Sequence, residues 1–243
     1  YIQVHRTRED GLEWFGGTAD IKHAVVSNAA DDSVDWTFGW TARLQFLAIT
    51  MRGDDADNAI EADNSEFNNN HLPRSNPQIY NITMCGDPDR NEGGESANGT
   101  NFRRGTAFTL RNFLLTGYKT TGFRMETTNA DTSNQVTNGT TQMGAGVIWN
   151  IPTPAQPVII GFIQSGRFPD VRLNVEPGVS TTACADHANP NFQPSGIATL
   201  AGGQMAPILP PADGFFEAVT FIGAVPPAPQ PNWMAGWTSF PQN

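Results

Sequence analysis

The sequence predicts an all-β chain wound as a right-handed parallel β-helix: coils of about 22 residues, long loop insertions and an aromatic tail. Three observations lead there. Stretches with apolar residues at i, i+3, i+4 and i+7 are scarce, because Gly, Pro, Asn and Asp break the chain every few residues. Short β-branched or aromatic runs bounded by turn formers recur at 21–26, 44–49, 79–84, 108–115, 158–163 and 216–222. Finally, one local pattern repeats at near-constant intervals.

The chain opens on an alternating strand-like segment, Tyr1-Ile2-Gln3-Val4-His5-Arg6. The repeat follows. Leu12-Glu13, Val34-Asp35, Ile60-Glu61, Phe102-Arg103 and Phe123-Arg124 each set an apolar residue before a charged one. Leu12 to Val34 is 22 positions, Val34 to Ile60 is 26, and Phe102 to Phe123 is 21. A second strand follows four of these, at 19–26, 42–49, 77–84 and 107–115. In a solenoid each coil buries its inward side chains by stacking on its neighbours. Leu12, Val34, Ile60, Phe102 and Phe123 should then form one inward stack, and Ile21, Leu44, Ile79 and Leu110 another. A β-sandwich would also show short, regularly spaced strands, but it does not call for a repeated apolar–charged step. The long gap from Ile60 to Phe102 holds polar stretches around Asn68-Asn69-Asn70 and at 87–101, read as loop insertions.

Residues 1–203 are read as solenoid, with 127–203 the least regular part, and 204–243 as a C-terminal capping segment. In that segment a stiff Pro-rich connector, Pro226-Pro227-Ala228-Pro229-Gln230-Pro231, precedes Trp233, Trp237 and Phe240. These rings should pack back on the solenoid, over an open end or a side, because an uncovered coil leaves strand edges unpaired. The first coil has the same need. A preceding part of the chain or another subunit is expected to cover it.

Composition narrows the function. Among 243 residues, 14 Lys+Arg against 24 Asp+Glu give a net charge of −10, which is no footprint for nucleic acid. No run approaches the roughly 18–20 apolar residues of a membrane-spanning helix. The histidines His5, His23, His71 and His187 lack zinc-site spacing. Two cysteines, Cys85 and Cys184, allow one disulfide at most, and their spacing leaves its formation open.

Several runs resemble a family of bacterial secreted and outer-membrane proteins that includes a leptospiral outer-membrane lipoprotein. They are the stretch from Val4-His5-Arg6 to Gly16-Gly17-Thr18, Asp31-Asp32-Ser33-Val34-Asp35-Trp36, Ile60-Glu61-Ala62-Asp63-Asn64, Arg103-Arg104-Gly105-Thr106, and Asn232-Trp233-Met234-Ala235-Gly236-Trp237. The resemblance spans about 1–125 and 213–243. It implies a β-helix, a location outside the cell or on the bacterial outer-membrane surface, and a chain that is the C-terminal part of a longer one. It brings no catalytic residues with it.

Candidate chemistry centres on Glu13, Asp35 and Glu61, equivalent positions of successive coils. Strands about 4.8 Å apart would stack these carboxylates at close range, and like charges opposite one another need neutralising. Arg103 and Arg124 are expected to continue the column. A charged exterior ladder satisfied by arginines and water is one reading. A calcium ion held by Asp32, Asp35, Asp57 and Glu61 is a second. A catalytic set drawn from Glu13, Asp35, Glu61, Arg103 and Arg124 is a third, with Trp14, Trp36 and Trp40 stacking on sugar rings. The preferred function is a non-catalytic extracellular or cell-surface structural and binding protein, calcium-stabilised and facing glycans. The alternative is a carbohydrate-active enzyme, a polysaccharide lyase or glycoside hydrolase, using the outward acidic face.

Overall fold

The computed structural model describes residues 1–53, 55–87, 98–195 and 205–242. Asp54, most of the 87–101 insertion and 196–203 of the irregular stretch lie outside the described residues.

Strands alternate between two parallel sheets, as the repeat requires. Sheet A holds β1 (Ile2–His5), β3 (Ile21–Ser27), β5 (Arg43–Thr50), β7 (Gln78–Cys85), β9 (Thr109–Thr116), β11 (Gln142–Trp149) and β13 (Val171–Leu173), in that order. Sheet B holds β2 (Leu12–Phe15), β4 (Val34–Thr37), β6 (Asn58–Ala62), β8 (Asn98–Phe102), β10 (Thr121–Met125) and β12 (Thr153–Ala155). Chain and spatial order coincide, so each coil contributes one strand to each sheet and lies on the coil before it. The chain is a parallel β-helix.

The inward stacks follow from register. Ile21, Leu44, Ile79 and Leu110 face one another across sheet A as expected. In sheet B, Leu12, Val34 and Ile60 stack, but Thr100 and then Phe123 continue the column. Phe102 belongs to the neighbouring column, opposite Ala62 and Met125. The small Ala62 side chain leaves room for that ring, which stacks on Phe108 at 4.0 Å. Arg103 shifts out of the Glu13 column with it.

Sheet A bends along one line. His23, Phe46, Asn81, Asn112, Ala145 and Asp170 occupy one register position, and all have φ between 49° and 61°. One left-handed residue per coil turns the strand, forming a corner along the solenoid. Asn, Asp and His tolerate this region; Phe adopts it seldom, and here the Phe46 ring stacks on His23 at 4.9 Å.

Two apolar runs do not become strands. Residues 158–163 lie in α2 (Pro157–Gln164), where Pro157 sits at the helix start and only Ile159 is fully buried. A short apolar run fits either structure, and proline at the first helical position decides this one. Residues 216–222 form no strand. The irregular region also forms α1 (Asp131–Thr137) and α3 (Thr181–Cys184).

The tail lies along a side. A second apolar cluster forms on the outer face of sheet A, where Val25, Ala48, Leu114 and Val147 meet Val179, Phe192, Val225, Met234 and the half-buried Trp233 and Trp237. Side-chain amides fasten the tail by its backbone. Gln3 exchanges two hydrogen bonds with Ser239 (2.7 and 3.0 Å), Gln45 two with Glu217 (2.8 and 2.8 Å), and Asn112 two with Ile208 (3.0 and 2.8 Å). Cys85 at the end of β7 is disulfide-bonded to Cys184 in α3, with both residues fully buried.

Candidate functional site

Among the described residues, no tail segment packs on the outward face of sheet B as it does on sheet A. Strand alternation points Leu12 and Trp14 inward and Glu13 outward, and the register sets Glu13, Asp35, Glu61, Asn101 and Arg124 in one outward column. Glu13, Asp35, Glu61 and Arg124 therefore fall where the repeat places them. Arg103, two residues beyond Asn101, reaches back instead: it bonds the Glu61 carboxylate and, through Nε and Nη2, both Asp63 oxygens at 3.0 Å. Arg104 also pairs with Asp63.

The loop entering each sheet B strand adds further acids. Asp10 Oδ1 accepts the Asp32 N–H at 3.0 Å, and Asp32 Oδ1 accepts the Asn58 N–H at 2.7 Å and the Asn58 side-chain amide at 2.9 Å. Each carboxylate thus caps the equivalent residue of the next coil. Three triads result, each with ligand-type oxygens within 4.8 Å: Asp10, Glu13 and Asp35; Asp32, Asp35 and Glu61; and Asp10, Asp31 and Asp32. Of the expected calcium ligands, Asp32, Asp35 and Glu61 come together, while Asp57 belongs to none of the triads. Asp57 acts at longer range, its charge raising the pKa values of Asp32 and Glu61.

Four of these carboxylates are held above their usual range. Burial, then the Glu61 charge, pushes Asp32 up to about 9. Burial, then Asp10 and Glu61, takes Asp35 to about 8. Burial takes Glu61 to about 7 against the opposing pull of Arg103, and burial takes Asp10 to about 6. Burial works against the Arg103 charge, but Asp63 and Glu61 outweigh it and hold the guanidinium above its ordinary pKa. Among the described residues Asp35 has no hydrogen-bond donor at all. Hard oxygen ligands, short of donors and grouped within reach of one ion, are the donor set calcium takes.

The tryptophans do not form a sugar platform. Trp36 and Trp40 are 0% exposed in the core, and Trp36 Nε1 donates to Thr106 Oγ1 at 3.0 Å. Trp14 is half-buried and stacks on Trp40 at 4.1 Å. Trp14 and Trp36 hold inward positions of β2 and β4, and Trp40 packs against both after β4 ends, so their rings build the core. Sequence reasoning missed Asp10. The signal was available: Asp10 stands 22 positions before Asp32 and two before Leu12, the same offset at which Asp32 precedes Val34.

Fold and site together define a parallel β-helix whose sheet A is closed by its own tail and whose sheet B carries an outward acidic column. A family model for the pectate-lyase-like β-helix domain matches residues 1–157, and the chain belongs to that family. No curated protein and no solved structure matches it.

Proposed function

We propose that this protein is an extracellular or cell-surface β-helix whose open face binds a calcium ion through Asp32, Asp35 and Glu61 and engages glycans there. The single observation carrying this reading is the Asp32–Asp35–Glu61 triad, in which a donor-free Asp35 sits within 4.8 Å of two further carboxylates. A bound divalent ion would supply the positive charge that the face lacks and a ligand position for a sugar oxygen. Arg124, exposed on the same column, adds an anion contact. The family description names a pectate lyase, which supports an acidic polysaccharide as the glycan. The buried Cys85–Cys184 disulfide supports an oxidising compartment. Val4, Leu12, Trp14 and Ile21 of the first coil are only half-buried, which supports a covering coil from a preceding part of the chain or from a second subunit.

Calorimetric titration of metal-stripped protein with calcium tests the reading. Heat of binding and a rise in melting temperature are expected; absence of both refutes it.

A catalytic reading rests on a different observation, the Glu61 carboxylate raised by burial to about 7 while bonded to Arg103. Groups poised in that range transfer protons efficiently. Incubation with a panel of acidic and neutral glycans decides it: cleavage lost in Glu61→Gln supports an enzyme, and intact glycans leave the binding role.

A further inference from the structure

The aromatic platform expected of Trp14, Trp36 and Trp40 is taken up by the core, yet the rim of sheet B carries another. Phe15 ends β2 on the same outward side as Glu13, roughly 7 Å further along the strand. Its ring stacks on Phe38 of the next coil, with centroids 6.2 Å apart, and Phe38 stacks on Phe67 of the coil after that at 5.8 Å. The ring planes differ by only 27° and 16°. Three phenyl rings thus climb the solenoid axis beside the carboxylate column, one per coil.

These rings stand in water. Phe15 is 68% exposed and Phe67 82%, while Phe38 is half-buried. Phe38 also holds φ at 52°, a costly conformation for a bulky side chain; Gly16 fills the matching place one coil earlier. Phe67 rides on a loop that is tied down. The buried Asn64 side chain donates to the Asn69 and His71 carbonyls at 3.0 Å and accepts the Ser75 N–H at 2.8 Å. Arg74 donates to the Asn69 carbonyl at 2.9 Å. A ring so exposed adds little to the core, and holding its loop in advance lowers the ordering cost of a ligand.

Width decides the ligand. At about 200 Å² per fully exposed ring, the strip offers roughly 350 Å², less than half of the about 800 Å² that each partner buries in a stable protein complex. It is one ring wide and runs beside the exposed Glu13 carboxylate. A pyranose chain has the matching form, with flat C–H faces that stack on rings and edge hydroxyls that donate to carboxylates. We propose that Phe15, Phe38 and Phe67 form a sugar-stacking strip on which a polysaccharide chain lies along the solenoid axis, across coils. The proposal rests on the glycan reading above and adds the rings to it; none of the calcium ligands takes part.

Calorimetric titration of the full chain with hexagalacturonate, calcium present, and with cellohexaose is the test. One of the two should bind the wild type. Phe15→Ala and Phe67→Ala should each weaken that binding about fivefold, and Phe67→Tyr should retain it. Both alanine variants should keep the wild-type melting temperature and calcium stoichiometry, since neither ring belongs to the core or to the triads. Wild-type affinity in both alanine variants overturns the strip and leaves the glycan reading standing. Binding of neither probe overturns the two together. A wild type that sediments as a dimer, split by Phe67→Ala, makes the rings a contact between copies and overturns the proposal.

Discussion

The two sheets are built from the same repeat, yet their outer faces have opposite fates. On sheet A the outward residues include Val25, Ala48, Leu114 and Val147, and the tail buries them beneath Trp233, Met234 and Trp237. On sheet B the outward residues are Glu13, Asp35, Glu61 and Arg124, and solvent reaches them. Sheet A spends its outward positions on stability. Sheet B accumulates like charges that strand pairing alone would penalise, and that cost is tolerable where a ligand offsets it. Function is therefore expected on sheet B, with destabilising substitutions concentrated on sheet A.

The largest expected effect lies on the covered face. Cys85→Ala with Cys184→Ala opens a loop between residues 99 positions apart; chain entropy puts the loss at about 4–5 kcal/mol for a loop of this length. Denaturant unfolding reads it directly, and a midpoint matching the wild type would deny the disulfide its part in holding the cover. Next comes Leu114→Ala, which empties a site only 2% exposed and should cost about 2–5 kcal/mol. A change within experimental error would show that the tail does not pack there.

The open face should respond in the other direction. Asp32, Asp35, Glu61 and Asp10 all have folded pKa values above their ordinary ones. In that case the folded state holds protons that the unfolded state releases, so their contribution is present below about pH 4 and is lost as pH rises toward 9. Melting of metal-free protein should show stability falling between pH 5 and pH 9, with calcium restoring it at the upper end. A flat profile would remove the carboxylate cluster as a coupled unit. The smallest effect is Asp35→Asn. It relieves repulsion at a position without donors, and should raise the metal-free melting temperature by about 2–4 °C, roughly 1 kcal/mol in a chain of this size, while abolishing the calcium response. Destabilisation instead would mean that Asp35 has a favourable partner.

Much of this contrast was legible in the residues. Spacing alone placed Leu12 over Val34 and Glu13 over Asp35, because stacking fixes register wherever one face is buried. The tryptophans were misread, since parity, not residue type, decides direction: Trp36 lies one position after Asp35 and so must face inward. Phe102 was put one column off because the intervening insertion hides where β8 begins. Residues 216–222 look like a strand in composition, but the partners of that segment are Gln45 and Asn81 side chains, a pairing no periodicity reports. The disulfide joins residues brought together only by the cover over sheet A. Asp10 precedes Leu12 by the same two positions that separate Asp32 from Val34, an offset readable in the sequence, and Asn58 follows Asp32 in that column.

Anomalous diffraction from crystals of the full chain soaked in a calcium-mimicking lanthanide tests the central claim most directly. The account places a peak about 2.3–2.6 Å from oxygens of Asp32, Asp35 and Glu61. A fully soaked crystal with that position empty, and peaks only elsewhere on the molecule, would contradict it.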